Sequence, residues 1–73
     1  MAKHAIESLV TGKVWKVEAA PGTRVEEGTV LLVLESMKME IPIESPVAGT
    51  LVELNVAEAE AVTEGQILAV VEG

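Results

Sequence analysis

Apolar and polar residues alternate with a period of two in several short stretches of the chain. Trp15, Val17 and Ala19 are separated by Lys16 and Glu18, and Val52, Leu54 and Val56 by Glu53 and Asn55. That period sends successive side chains to opposite faces of an extended backbone, so each stretch predicts a strand with one buried face. On this pattern Trp15 falls on the inward side and is expected in the core. Met39, Ile41 and Ile43 alternate in the same way with Glu40, Pro42 and Glu44, and Pro42, having no amide hydrogen, points to an edge strand. Met39, at the start of this alternation, is expected to be half in the core. Two runs, Val30 to Leu34 and Ile67 to Val71, are apolar at every position and rich in branched residues, which predicts central strands. Turns are expected at Gly12, Pro21-Gly22, Glu27-Gly28, Gly49 and Glu64-Gly65. No segment predicts a helix.

The whole pattern occurs twice. Sliding the chain by 37 positions lays residues 6–36 over residues 43–73 without a gap, with 12 identities in 31 pairs. Ile6-Glu7-Ser8 falls on Ile43-Glu44-Ser45, Gly12 on Gly49, Val25 on Val62, Glu27-Gly28 on Glu64-Gly65, Leu31 on Leu68 and Glu35 on Glu72. Two copies of about four short strands predict an all-β fold, a flattened eight-stranded antiparallel barrel or sandwich with an internal pseudo-twofold. The chain is expected to form a single domain over residues 1–73, with repeat halves 6–36 and 43–73. The shift maps Lys38 onto Met1 in one direction and just past Gly73 in the other, so the two chain ends are expected together, at the pole opposite Lys38.

Composition says what must hold such a fold together. A 73-residue chain is near the size at which a core barely offsets chain entropy. At about 1.5 kcal/mol per ordered residue, it must recover on the order of 100 kcal/mol. Hydrophobic residues make up 49%, yet there is one Trp and no Phe, Tyr or Cys, so Val, Leu, Ile and Ala must build the core without disulfide support. The formal charge of −7, with only five scattered Lys and Arg, argues against nucleic acid as a partner. No apolar run is long enough for a membrane-spanning helix and no signal-peptide pattern opens the chain, so the expected protein is soluble and cytoplasmic.

Between the two copies lies only the segment from Met37 to Pro42, which places Lys38 at the join. A two-residue hairpin favours Asn-Gly or other Gly-containing pairs, and Met37-Lys38 is neither. The repeat nevertheless demands a hairpin there, by ending one strand at Glu35 and starting the next at about Met39. A tight turn made without glycine stores about 1 kcal/mol of strain, an exception of the kind kept for function. An exposed lysine on such a tip can enter another protein's active site. Met37 at the tip suits a surface that several partners read, since thioethers are flexible and polarizable.

The run Glu35-Ser36-Met37-Lys38-Met39 resembles the attachment motif of biotinyl domains, the biotin carboxyl carrier family, whose usual form has Ala where Ser36 stands. Ser45-Pro46-Val47-Ala48-Gly49-Thr50 resembles the stretch that follows the motif, and the likeness covers essentially the whole chain. It is nearest to short, free-standing biotin/lipoyl attachment proteins. The resemblance implies a flattened barrel with the modified lysine on an exposed hairpin. It implies that biotin protein ligase attaches biotin to the ε-nitrogen of Lys38, and that Glu35, Met37 and Met39 belong to the surface the ligase and later partners read. It further implies a non-catalytic carrier that shuttles carboxybiotin between a biotin carboxylase and a carboxyltransferase. Some members carry a projecting insertion in the first half; the gapless repeat leaves no room for one here.

Two other readings compete. Lipoyl carriers share the repeat architecture, but usually have an Asp-Lys-Ala type of sequence around the lysine, which the two methionines do not match; the likeness to free-standing relatives also implies a dual biotin/lipoyl attachment protein as a form of this reading. An unmodified barrel serving as an adaptor is the third. His4 has no partner at ligand spacing and is expected as a frayed surface residue, while Glu26, Glu27, Glu58, Glu60 and Glu64, in or near turns, read as a solvated rim.

Overall fold

Each alternating stretch forms a strand, and the turns at Pro21-Gly22, Glu27-Gly28 and Glu64-Gly65 reverse the chain. In a computed structural model that describes residues 2–73, the strands are β1 (Lys3–Glu7), β2 (Gly12–Val17), β3 (Arg24–Val25), β4 (Val30–Ser36), β5 (Met39–Glu44), β6 (Gly49–Leu54), β7 (Ala61–Val62) and β8 (Ile67–Glu72). They form two four-stranded antiparallel sheets, ordered β1-β8-β6-β3 and β5-β4-β2-β7. The eight strands are thus a sandwich rather than a closed barrel. The two apolar runs occupy central positions as β4 and β8, and Pro42 lies on the edge strand β5.

The order of strands explains how so short a chain encloses a core. Each sheet draws two strands from each repeat half: β1 pairs with β8, β3 with β6 and β7 with β2. Neither half can satisfy its backbone alone, so burial is shared between copies. Leu31, Leu32, Leu34, Leu51, Leu68, Ala69 and Val71 are completely buried in one cluster with Val14, Val25 and Val62.

The twofold extends to single hydrogen bonds. The Ser8 hydroxyl donates to the Val10 carbonyl at 2.6 Å, and the Ser45 hydroxyl to the Val47 carbonyl at the same distance. Both serines are buried, and these bonds satisfy them. Irregularities repeat as well. β4 is bulged at Leu31 against β5, and β8 at Leu68 against β1.

A second matched pair of bulges corrects the expectation for Trp15. The register between β2 and β4 shifts between Val14 and Lys16, and that between β6 and β8 between Leu51 and Glu53. The extra residue breaks the period of two. Val14 and Leu51 fill the core instead, whereas Trp15 is 49% exposed and Val52 half-buried. Strict alternation across a bulge assigns the wrong face.

Gly12 and Gly49 are also not turn residues; they open β2 and β6. A Cβ on Gly12 would collide with the carbonyl oxygen of Glu35, and one on Gly49 with that of Glu72. These glycines exist for close backbone approach.

The chain ends meet as the repeat requires. Ala2 N–H donates to the Gly73 carbonyl at 3.0 Å and Gly73 N–H to the Ala2 carbonyl at 2.9 Å. Met1, the formal counterpart of Lys38, lies outside the described residues. Gly12 stands at the base of the Lys38 hairpin through its close approach to Ser36, and Gly49 beside the chain end through its close approach to Gly73. No helix among the described residues is long and apolar enough to cross a membrane.

Candidate functional site

The hairpin between β4 and β5 is closed by the pair Ser36 and Met39, leaving Met37 and Lys38 as a two-residue loop. Both take positive φ, 52° and 65°. That is the signature of a type I′ turn, whose twist matches the flanking strands and normally calls for Asn-Gly. Side chains with a Cβ pay about 1 kcal/mol each for this region of backbone space. The turn is therefore held by what surrounds it: the long ladder from Val30–Glu44 to Ser36–Met39, and a bond from the Ser36 hydroxyl to the Thr11 carbonyl at 3.0 Å.

This geometry presents Lys38 at the extreme tip, exposed. The one ion pair among the described residues joins Lys16 to Glu18 at 3.8 Å, so none engages Lys38. Met37 is 92% exposed and flanks it. Met39 is 64% exposed, which corrects the expectation of a half-core position. Its alternation with Ile41 and Ile43 does put it on the core side of β5, but it projects past the last core layer at the end of the sandwich. Glu35 faces the opposite side of the sheet, exposed, between Lys13 on β2 and Glu40 on β5. The hairpin therefore groups all four residues named from the sequence, with Glu35 and Met39 on different faces. The tip offers an amine without a partner among the described residues, on a hairpin stem, suited to acylation inside another protein's active site.

One neighbour of the hairpin was not visible in the sequence. Lys13, Val14, Trp15 and Glu35 line a cleft of about 290 Å³ together with Glu58 and Ala59 from the other repeat half. Glu58 is fixed there because its carboxylate accepts the Val17 N–H at 3.1 Å, while Ala59 N–H donates to the Val14 carbonyl at 2.8 Å. No group of three or more His, Cys, Asp or Glu side chains among the described residues could hold a metal ion.

Residues 4–71 match the family described as "Biotin-requiring enzyme". A biotin/lipoyl attachment protein of Bacillus subtilis is 41% identical over 59 residues, 81% of each chain. A homologue of the biotinylated protein TB7.3 from Mycobacterium leprae is 33% identical over 66 residues, covering 90% of this chain and 93% of that one. The dihydrolipoyllysine-residue succinyltransferase of the yeast 2-oxoglutarate dehydrogenase complex, from Saccharomyces cerevisiae, is 36% identical over 66 residues, 90% of this chain and 14% of its own length. Among solved structures, the urea carboxylase of Kluyveromyces lactis superposes with a TM-score of 0.92 at 28% identity, over 99% of this chain and 6% of that one. The chain thus spans most of the two small relatives and a minor part of the large ones. With the family match, the near-full-length small relatives and the two-sheet fold in agreement, this chain belongs to the biotin- and lipoyl-attachment domain family.

Proposed function

We propose that this protein is a biotin carrier, acylated on the ε-nitrogen of Lys38, that moves a carboxyl group between the active sites of a biotin carboxylase and a carboxyltransferase. The observation that carries the reading is the Lys38 turn: an exposed lysine between Met37 and Met39, in a type I′ loop with positive φ at both central residues. A loop that keeps two unfavourable residues where Asn-Gly would be easier retains them for their side chains.

The residues fit the group. Amide formation needs an amine that a ligase can surround, and the hairpin tip gives access from all sides with no competing carboxylate bound to Lys38. Bound biotin supplies the chemistry of holding a carboxyl group; this chain supplies the position. Met37 supplies a flexible apolar contact for a ligase and for later partners, with Met39 and Glu35 widening that surface to either face of the hairpin. Residues 1–73 act as one carrier unit, because its sheets cannot form from either half alone. The catalytic groups belong to its partners, and the acidic surface makes basic partner surfaces the favoured ones.

Lipoate is the second reading. It is favoured by the relatives named for lipoyl attachment, and opposed by the methionines on both sides of Lys38. An intact-mass spectrum of the protein from its native host separates the cases: a biotin adduct is expected, a lipoyl adduct would transfer the reading to the second cofactor, and unmodified protein would end both.

A further inference from the structure

The duplication supplies an internal control for finding function, because features shared by both copies follow from the fold and features present once do not. A groove of about 400 Å³ is lined by Ala5, Ile6, Glu7 and Leu9 and by Pro42, Ile43, Glu44 and Pro46. These are four twofold-related pairs. The groove straddles the internal axis and marks neither end.

The cleft beside the lysine hairpin differs. Under the 37-residue shift Lys13 corresponds to Thr50, Trp15 to Val52, and Glu58 and Ala59 to Pro21 and Gly22; only Glu35, as Glu72, and the aliphatic Val14, as Leu51, keep their type. The indole and the second carboxylate have no counterpart at the matched positions, and the ammonium at the other end is that of Lys3, which stands on β1 across from Glu72 rather than on the strand matched to β2. The fold did not require Trp15 and Glu58, since the other end is built without them.

We propose that this cleft is a berth on which the ring system of biotin attached to Lys38 rests between visits to partner enzymes. The inference rests on the carrier reading above. Biotin's bicyclic ring has an apolar side and a ureido group with two N–H donors and one carbonyl acceptor. Trp15 offers a half-exposed indole face to the apolar side. Glu35 and Glu58 offer carboxylate acceptors to the N–H groups, and Lys13 an ammonium to the carbonyl. Glu58 is already held in place by the Val17 N–H, so little ordering is needed on docking.

The reach is sufficient. The cleft starts at the Lys13–Glu35 pair, one step along β4 from the closing Ser36–Met39 pair. Trp15 lies two residues further along β2, roughly 7 Å. About ten single bonds separate the Lys38 Cα from the biotin ring, on the order of 12 Å when extended.

Trp15 is the only tryptophan, so its fluorescence reports this cleft alone. The test compares the full chain before and after enzymatic biotinylation, with peptide mapping to verify the Lys38 adduct. Expected are a blue shift of the emission and a fall of about half in the acrylamide quenching constant, as a half-exposed indole becomes covered. Both should be independent of protein concentration, and both should be lost in K13A and E58Q proteins that carry the same adduct. A verified adduct with unchanged quenching overturns the berth and leaves the carrier reading standing. Protection that grows with concentration also overturns it, by pointing to a second copy. Failure of Lys38 to accept biotin overturns both.

Discussion

The two ends of the molecule are built from the same pattern and do different things. At one end β8 stops at Glu72 and the chain ends pair through Ala2 and Gly73; at the other the equivalent strand β4 runs through Met37 and Lys38 into β5. Both ends share a strand-opening glycine, a bulge in the neighbouring strand and a buried serine–carbonyl bond. Only one carries a strained loop, a lysine at its tip and an exposed indole beside it. The shared features therefore measure what the sandwich needs, and the unshared ones what the Lys38 end was given in addition.

The sharpest way to break this comparison is Lys38→Arg. It should abolish cofactor attachment altogether, scored by streptavidin capture after ligase treatment, while thermal unfolding stays within about 0.5 kcal/mol of the parent because the side chain is exposed. A fall in stability comparable to a core mutation would mean that the turn lysine is structural.

Core mates should behave alike. Leu31→Ala and Leu68→Ala each remove a completely buried side chain at a matched bulge and should each cost about 3 kcal/mol in urea unfolding. A difference well above 1 kcal/mol between them would show that the two halves do not share the core equally.

Gly12→Ala and Gly49→Ala form a second matched test. A methyl group at either position meets a backbone carbonyl that cannot turn aside, so each should cost about 2 kcal/mol. Gly12→Ala should also slow biotinylation, because it displaces Glu35 and Ser36 at the base of the hairpin.

The smallest effects concern backbone strain. Ala59 has φ of 72° and occupies the place of Gly22, whose φ is 92°. Ala59→Gly should stabilise the protein by about 0.5 to 1 kcal/mol and Gly22→Ala should destabilise it similarly. Met37→Gly should likewise stabilise by some tenths of a kcal/mol, yet weaken the ligase's recognition of the hairpin, read as a higher KM for the protein substrate.

How far the sequence alone carried can be judged from particular residues. The strands, the central place of β4 and β8, the edge position of Pro42 and the meeting of the chain ends were all legible, because they follow from hydrophobic period and internal repeat. The Lys38 hairpin was legible only through the repeat, since turn preferences argue against Met37-Lys38. Trp15 was misplaced because a bulge is a change of register between strands, invisible in one strand's alternation. Gly12 and Gly49 mislead for a related reason: a glycine demanded by backbone contact across strands looks, in sequence, like one demanded by a reversal. Met39 showed the right face but not the end of the core layer. The cleft at Trp15 is not legible in the sequence because it needs Glu58 and Ala59 from the other half, brought in by pairing between copies.

The central claim is that position in the fold, rather than lysine chemistry alone, selects one amine. The chain has three other lysines, Lys3, Lys13 and Lys16, all on strands. Peptide mapping by mass spectrometry after exposure of the folded protein to biotin protein ligase and activated biotin tests this directly. The account predicts a single biotin on Lys38 and none on Lys3, Lys13 or Lys16; modification spread over several lysines, or absent from Lys38, would contradict it.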